Sequence, residues 1–312
     1  MKRYYSFNQY LKETFPDNRV YKIPVDAGFN CPNRDGKVGA DGCIYCDNHS
    51  FSPNTRLSER LPLREQIERG IEFYRRREQA DKFIIYFQSF SNTYGTLDKL
   101  KQLYDEATSF NDVVGLAIGT RPDCISEEII NMITEYTKKY LVWVEYGVQS
   151  VHDKTLQLIN RGHTYEAFVK AINMTKDRGI KIATHIILGL PGETRDDMIK
   201  TAQQIGLLGI DGIKIHHLYI AKNTPLEKWY AENKLTTMNL KEYIALVCDI
   251  LENLPEEMVI QRLVGELNEQ YAIAPRWKLS KGEIISLIEQ ELDERGSRQG
   301  RLFPKCGACI TK

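Results

Sequence analysis

The chain has 312 residues, of which 42% are hydrophobic and 27% charged, a composition typical of a globular protein and a length sufficient for one large α/β barrel with an appendage. Its 42 basic and 42 acidic residues leave no net charge, so whole-chain charge gives no support to nucleic-acid binding, and any such site must be a local patch. The N-terminus lacks an apolar segment and no apolar run reaches about 18 residues, which predicts a cytoplasmic protein with no signal peptide and no membrane span.

Short β-rich runs alternate with amphipathic helical stretches over the first 220 residues. The predicted strands are 20–25, 83–87, 113–118, 141–148, 181–190 and 212–220. The predicted helices are 62–79, 97–110, 127–140, 154–159, 165–178 and 196–208. Six alternating units indicate a parallel sheet with right-handed crossovers. Periodicity alone leaves open whether this sheet is doubly wound or an incomplete barrel.

The pattern changes after Pro225. Residues 236–254 and 281–292 are predicted to be helices, with only a weak β signal near 258–260. We therefore expect two domains, an α/β barrel over 1–230 and a mostly helical C-terminal extension with a basic tail over 231–312.

Three of the seven cysteines lie within sixteen residues, at Cys31, Cys43 and Cys46. In a protein that is not exported, this clustering indicates metal binding rather than a disulfide framework. Thiolates favour zinc or an iron–sulfur cluster. A structural zinc site needs four ligands, and His49 is a candidate fourth. Three thiolates on a four-iron cluster would instead leave one iron open, as a reactive cluster requires. The loop follows the first strand, at the end of a β/α barrel where active sites lie, which favours the cluster.

Several motifs occur in an order that resembles one family. They are CIYC at 43–46, GTRPDC at 119–124, EYGVQSVHDKTLQLINRGHT at 145–164, ILGLPGET at 187–194, IPVDAGFNCPNRDG at 23–36 and AIAPRWKLSK at 272–281. Together they resemble the radical S-adenosylmethionine (SAM) superfamily, specifically the YhcC/YtqA-type family with an Elp3-like core, over roughly residues 4 to 303. The resemblance implies a partial (β/α)6 TIM-type barrel.

The resemblance also implies cofactors and their ligands. A [4Fe–4S] cluster would be held by Cys31, Cys43 and Cys46, whose open iron chelates SAM; one electron from a reductant such as flavodoxin or ferredoxin would then cleave SAM to a 5′-deoxyadenosyl radical. Tyr45 is the aromatic residue that usually precedes the last cysteine, and it would lie beside the cofactors.

Five further residues are candidate SAM contacts by this resemblance. Arg161 would bind the SAM carboxylate, for which a guanidinium fork is suited. Gln149 and Glu145 share one face of a strand, and Glu145 would accept a hydrogen bond from the methionine ammonium unless it is a barrel-interior charge paired with neighbours. Gln88 ends the second strand where relatives carry Gly-Gly-Glu, and His185 stands where they often place an Asp on the ribose. Of the two consecutive histidines at 216 and 217, alternation predicts that only one faces the interior.

The Elp3-like branch acts on the wobble uridine of tRNA, which the resemblance makes the expected substrate, with conversion of a carboxymethylaminomethyl group to aminomethyl as the specific hypothesis. Candidate RNA contacts are Arg75–Arg77, Arg276 with Trp277, and the basic tail from Arg295 to Lys312, although such runs are often only solvated surface. Cys306 and Cys309 are either a frayed tail, the favoured interpretation, or part of an auxiliary metal site.

Two other functions stay open. One is a radical SAM enzyme that acts on a small metabolite or a protein side chain. The other, from a different class, is a zinc-stabilised binding module without catalytic activity. Cys124 and Cys248 are most simply core cysteines, although the position of Cys124 after TRPD leaves a hydrogen-donor role open.

Overall fold

The computed structural model describes residues 2–52, 54–56, 59–266 and 268–304. Within them, a seven-stranded parallel sheet has the strand order β1-β2-β3-β4-β5-β6-β8. Its strands are β1 (Val20–Val25), β2 (Lys82–Phe87), β3 (Val113–Thr120), β4 (Leu141–Gln149), β5 (Lys181–Leu188), β6 (Gly212–His217) and β8 (Val259–Arg262). Two short strands, β7 (Ile220–Ala221) and β9 (Ala272–Ala274), form a separate antiparallel pair.

The helices cover the outer face of this sheet and its ends. They are α1 (Phe7–Thr14), α2 (Asn48–Phe51), α3 (Leu63–Glu78), α4 (Leu97–Thr108), α5 (Glu127–Tyr136), α6 (Asp153–Leu158), α7 (Tyr165–Thr175), α8 (Arg195–Leu207), α9 (Pro225–Ala231), α10 (Leu240–Glu252) and α11 (Lys281–Glu294). Sequential parallel pairing with intervening helices is the arrangement of a partial TIM barrel, so the predicted fold class is confirmed.

All six predicted strands exist, and their helices mostly end earlier than periodicity indicated. The helix predicted to reach Tyr140 ends at Tyr136, although its start at Glu127 and its cap are as predicted, since the Ser126 side chain accepts a hydrogen bond from the backbone N–H of Ile129. The predicted strand 212–220 ends at His217. Helices α1, α2 and α9 were not predicted, because each is short.

The C-terminal segment contributes more than helices. The weak β signal near 258–260 marks β8, which pairs in parallel with β6 and becomes the seventh strand of the sheet. Helices α10 and α11 are present, close to their predicted bounds. A domain boundary near residue 230 stays a prediction.

The interior of the barrel is layered. At the end where the strands begin, an apolar floor forms from inward-facing strand residues that include Ile84, Ala117 and Trp143. Helix α1 closes this floor, because Phe7 and Tyr10 pack edge-to-face on Trp143 with ring centroids 6.0 and 5.4 Å away. The cavity must therefore open at the opposite end, where the strands end.

Candidate functional site

The loop after β1 holds the three clustered cysteines and is fastened to the segment that follows α6. The side-chain amide of Asn33 donates to the carbonyl of Asn160 at 2.6 Å, and the Asn160 amide donates back to the carbonyl of Gly42 at 2.7 Å. The backbone N–H of Ile44 donates to the carbonyl of Ile159 at 3.1 Å. Gly42 has a φ of +73°, a conformation that favours glycine. The loop is thus fixed to the chain just before Arg161.

Guanidinium groups surround the cysteines. Arg34 donates to the carbonyl of Cys46, and Arg161 donates to Cys43 Sγ at 3.5 Å and to the carbonyl of Gly147 at 2.6 Å. Arg121 donates to the carbonyl of Arg161 at 2.8 Å, which connects the TRPD segment after β3 to this shell. Positive charge this close favours thiolates over thiols.

The local charges act differently on two of the thiols. Burial would raise the pKa of Cys43, but Arg161 and then Arg121 outweigh it and hold the pKa below its ordinary value. Burial and the neighbouring Cys43 raise the pKa of Cys46 to about 11, against the effect of Arg34. Cys43 is therefore the readier of these two to lose its proton before any metal binds.

A cavity of about 250 Å³ opens beside the cysteine loop at the carboxyl ends of the strands. Every candidate site residue from the sequence lines it: Cys31, Cys43, Tyr45, Cys46, Gln88, Glu145, Gln149, Arg161 and His185. These residues come from the cysteine loop, from the position directly after β2, from β4 and β5, and from the segment after α6. The structure thus brings them together, while their individual contacts with a cofactor stay predictions.

The backbone of β4 makes room at the cavity wall. A side chain at Gly147 would bring its Cβ within 2.7 Å of the Gln149 amide nitrogen and 3.0 Å of an Arg161 guanidinium nitrogen. The register of β4 against β5 shifts between Gly147 and Gln149, and Gln149 has a φ of +76°. This irregularity departs from the strict alternation assumed for residues 145, 147 and 149.

Below the cavity, a buried charge cluster surrounds Glu145. One carboxylate oxygen accepts from Lys22 at 2.6 Å, and the other accepts from His185 at 3.0 Å and from Lys214. Although burial favours the neutral acid, Lys214 and Lys22 hold the pKa of Glu145 well below its ordinary value. These contacts correspond to the alternative in which Glu145 is a paired barrel-interior charge; its role as a SAM contact stays a prediction.

The histidines of the cavity are neutral near pH 7. Burial, and then the charge of Lys214, lowers the pKa of His185 to about 4, and burial lowers that of His217 to about 4. Both His216 and His217 line the cavity, but their rings have different neighbours. His216 lies beside His185 of the barrel interior, with ring centroids 5.7 Å apart, whereas His217 lies beside Tyr243 of α10, at 5.4 Å, as the expected alternation along β6 predicts. His217 also packs against Trp277, with ring centroids 4.4 Å apart.

The structure gives no support to a zinc site completed by His49. His49 lies in α2, and its ring nitrogen Nδ1 is 3.3 Å from a carboxylate oxygen of Asp47. It is not among the residues that line the cavity. Across the described ranges, no three His, Cys, Asp or Glu side chains are arranged to hold a single metal ion.

Some site residues escaped the sequence reasoning. Arg34 and Arg121 lie in the quoted motifs CPNRDG and GTRPDC, so the motifs were a signal for them. Lys22, Lys214 and Arg262 had no such signal, because they come from β1, β6 and β8 and approach one another only in the folded barrel.

The candidate RNA contacts are not grouped at the cavity. Arg75–Arg77 end α3 at the opposite end of the barrel, where Arg75 pairs with Asp112 just before β3. Trp277 is half-buried against the core and donates to the carbonyl of Met238 at 3.2 Å, so it offers no free stacking face on that side. Cys306, Cys309 and residues 305–312 of the basic tail lie outside the described residues. Cys124 and Cys248 are both buried, as expected of core cysteines.

Comparison with known proteins gives two family matches. The model of the radical SAM superfamily matches residues 30–205, and the model of the radical SAM C-terminal domain matches residues 210–294. The uncharacterized protein YtqA of Bacillus subtilis is 38% identical over 307 residues, 97% of this chain and 94% of that protein. A tRNA uridine(34) acetyltransferase of Dehalococcoides mccartyi is 29% identical over 177 residues, 55% of this chain and 37% of that protein.

The fold also has a counterpart among solved structures. Elp3 of Methanocaldococcus infernus, solved with an N-terminal deletion, superimposes with a TM-score of 0.66 at 20% identity, covering 90% of this chain and 64% of that one. At this identity the likeness supports the fold alone. No helix in the described ranges is long and apolar enough to span a membrane.

Proposed function

The chain belongs to the radical SAM superfamily, in the YhcC/YtqA-type family with an Elp3-like core, and on this basis we propose that it modifies the C5 substituent of wobble uridine in tRNA, converting carboxymethylaminomethyl to aminomethyl. Its being a radical SAM enzyme, with a [4Fe–4S] cluster and SAM as cofactors, follows from the family. The non-catalytic zinc module is therefore wrong. The substrate, the reductant and a cytoplasmic location are proposals.

The residues at the cavity fit these cofactors. Three thiols that share one loop meet a shell of guanidinium groups, which stabilises the negative charge of a thiolate-bound cluster. Arg161 Nε is buried and has no hydrogen-bond partner within the described part of the chain. An unsatisfied buried donor is costly, and a carboxylate placed against it would remove that cost. We assign the cluster to Cys31, Cys43 and Cys46 and the SAM carboxylate to Arg161.

When bound, the reduced cluster and SAM supply an organic radical able to abstract hydrogen from carbon. The residues of this chain hold the reactants in position inside the cavity and exclude water from them. Gln149, Gln88 and His185 offer neutral hydrogen-bonding groups around the cavity, and Tyr45 lies next to the last cysteine. Burial lowers the pKa of His185 to about 4, so the ring reaches a ligand uncharged. A neutral donor or acceptor suits a ribose hydroxyl, and His185 would bind there.

Support for tRNA comes from relatives rather than from surface charge. A tRNA uridine(34) acetyltransferase matches 55% of this chain, which makes the wobble uridine the favoured target. That protein is longer, since the match covers 37% of it. The proposed conversion of carboxymethylaminomethyl to aminomethyl differs from the acetyl transfer named for that relative. A small metabolite or protein side chain is the alternative substrate.

The observation that carries the proposal is the convergence of the three cysteines with all six candidate SAM residues on one cavity. Mass spectrometry of tRNA nucleosides from cells that lack the gene should show carboxymethylaminomethyluridine accumulating and aminomethyl derivatives lost. Complementation with the wild-type gene should restore them. If the tRNA nucleosides are unchanged, the proposed tRNA substrate is wrong, and a small metabolite or protein side chain becomes the favoured substrate.

The cluster assignment has its own test. Cys31→Ala, Cys43→Ala or Cys46→Ala should each abolish the brown [4Fe–4S] absorbance of anaerobically reconstituted protein and its SAM cleavage after reduction. Cys248→Ala is the matched control, because Cys248 is buried between α10 and α11 and its thiol donates to the carbonyl of Ile288. It should keep about four irons per chain. A reconstituted cysteine-loop variant with full iron and SAM cleavage would contradict the assignment.

A further inference from the structure

One charged group in the cavity, the guanidinium of Arg262, has no hydrogen-bond or ion-pair partner among the residues that the structure describes. Four arginines line the cavity wall: Arg34, Arg121, Arg161 and Arg262. The first three donate to carbonyls, to a thiol or to a carboxylate. No hydrogen bond or ion pair formed within the described ranges uses the guanidinium of Arg262, although this residue is only half exposed. A partly buried cation without a partner is energetically costly, so an anionic ligand that pairs with it would be stabilised.

An irregularity in β8 turns Arg262 inward. In the pairing of β6 with β8, Ile213 aligns with Ile260 but Lys214 aligns with Arg262, so one residue, Gln261, is extra. Gln261 Oε1 accepts from Lys22 at 2.8 Å, and Arg262 lines the cavity, so two consecutive side chains serve the barrel interior. A regular strand would have sent one of them outward. The bulge thus adds a cation to an interior that already holds two lysines.

The interior has a surplus of positive charge. Lys22 and Lys214 both pair with the buried carboxylate of Glu145, Arg262 adds a third positive charge nearby, and His185 and His216 are neutral. Burial lowers the pKa of both Lys22 and Lys214, and Arg262 lowers each further, despite the opposing effect of Glu145. A second anion in the cavity would offset this repulsion.

Arg262 and the cysteine loop both lie near the side chain of Tyr219. Both Arg262 and Cys46 are near enough to Tyr219 to act on the pKa of its phenol, which burial raises. The guanidinium is therefore in the part of the cavity formed by β6 and β8, across from the β2–β4 side where Gln88 and Gln149 lie. It is also near enough to His185 to lower the pKa of that ring, so a ligand that reaches it lies close to His185 and Tyr219.

We propose that Arg262 binds the carboxylate of the substituent on the substrate uridine, an inference that rests on the proposed function. The carboxymethylaminomethyl group carries one carboxylate, and a guanidinium fork binds a carboxylate through two parallel hydrogen bonds. RNA phosphates remain on the ribose backbone outside a cavity of about 250 Å³, whereas a substituent at C5 extends inward with its base. The same contact distinguishes substrate from product, because the aminomethyl product lacks the carboxylate.

The test compares binding of two tRNAs to anaerobic, cluster-loaded protein with SAM. One tRNA carries carboxymethylaminomethyluridine at the wobble position, and the other carries aminomethyluridine. The wild-type enzyme should bind the first roughly 10- to 100-fold more tightly, the range of a charge-assisted, partly buried pair. Arg262→Gln should bind both equally, with its affinity for the aminomethyl tRNA and for SAM unchanged. Arg262→Lys should keep part of the preference.

The matched control is Arg178→Gln. Arg178 lies at the surface, where its guanidinium donates to the side chains of Asn131 and Glu127, and the substitution should leave the preference intact. The measured quantity is the ratio of the affinities of one variant for the two tRNAs. A smaller folded fraction lowers both affinities equally, so it does not change this ratio. If Arg262→Gln keeps the wild-type preference for the carboxymethylaminomethyl tRNA, the inference is overturned and the proposed function is not. The same holds if the variant binds SAM more weakly while the ratio of its affinities for the two tRNAs is unchanged. Failure of the wild-type enzyme to modify the first tRNA overturns the proposed function and this inference with it.

Discussion

Glu145 offers a sharp test of how the barrel interior is held together. Its side chain is fully buried, and it is the single carboxylate bound by Lys22, Lys214 and His185. Glu145→Gln keeps the shape but removes the charge, leaving two lysines buried around an amide. Removing one partner from a buried ionic group costs about 3–5 kcal/mol, which for a chain of 312 residues lowers Tm by roughly 5–8 °C.

The measurement is calorimetry of cluster-loaded protein under argon at a fixed scan rate. Glu127→Gln is the matched control, because Glu127 pairs with Arg178 at 2.7 Å on the surface and is 56% exposed. Exposed pairs contribute about 0–1 kcal/mol, so this variant should shift Tm by no more than a few degrees. Adding Lys214→Met to Glu145→Gln should recover part of the loss, since the double variant removes one of the stranded cations.

The pH dependence gives a second check on the same variant. The folded protein holds the pKa of Glu145 well below its ordinary value of 4.5, so its stabilising effect is complete above that value and is lost as the pH falls through the folded pKa. The difference in stability between wild type and Glu145→Gln should therefore be constant from about pH 5 to 8 and shrink only in acid. A Tm loss equal to that of Glu127→Gln, or additive behaviour of the double variant, would refute the buried-network reasoning.

Three further predictions concern packing and the cofactor. Gly147→Ala should weaken SAM binding at least several-fold in equilibrium dialysis, because the new Cβ comes within 3.0 Å of Arg161. The control is Gly282→Ala, at an open position of α11, which should leave SAM binding intact and raise the free energy of unfolding by up to about 1 kcal/mol. Arg161→Gln should raise the Kd for SAM by roughly 10-fold or more while surface Arg178→Gln does not; equal affinities would remove Arg161 from the SAM site. Tyr243→Phe should cost about 1–2 kcal/mol in urea unfolding, because a buried carbonyl loses the hydroxyl that donates to it at 2.6 Å; no loss would mean that this carbonyl finds another donor.

Part of the site was available from local sequence. Cys31, Cys43 and Cys46 lie within one loop, and their spacing predicted a shared metal centre before any fold was known. Strand and helix periods repeat every two or 3.6 residues, so the six β/α units of the barrel could be read from short windows. The resemblance to the radical SAM family, rather than periodicity, made Gln88, Glu145 and His185 candidate residues of the same site.

Other parts depended on contacts between distant segments. Lys22 and Glu145 are 123 residues apart in sequence, and Lys214 is 69 residues beyond Glu145, so no local pattern joins them. Strand β8 is four residues long, and its weak signal became a strand through pairing with β6, as β-propensity depends on the neighbours that a strand meets.

What the sequence by itself determined was the chemistry that this protein brings together: three thiols in one loop, and candidate residues at the ends of successive strands. What only the tertiary structure decided was the electrostatic balance of the barrel interior, including the bulge that turns Arg262 inward and the pairing that occupies Glu145. The physical reason is that ligand spacing and strand period are local properties of the chain, whereas burial, and the sharing of one carboxylate among several cations, exist only when distant strands lie side by side.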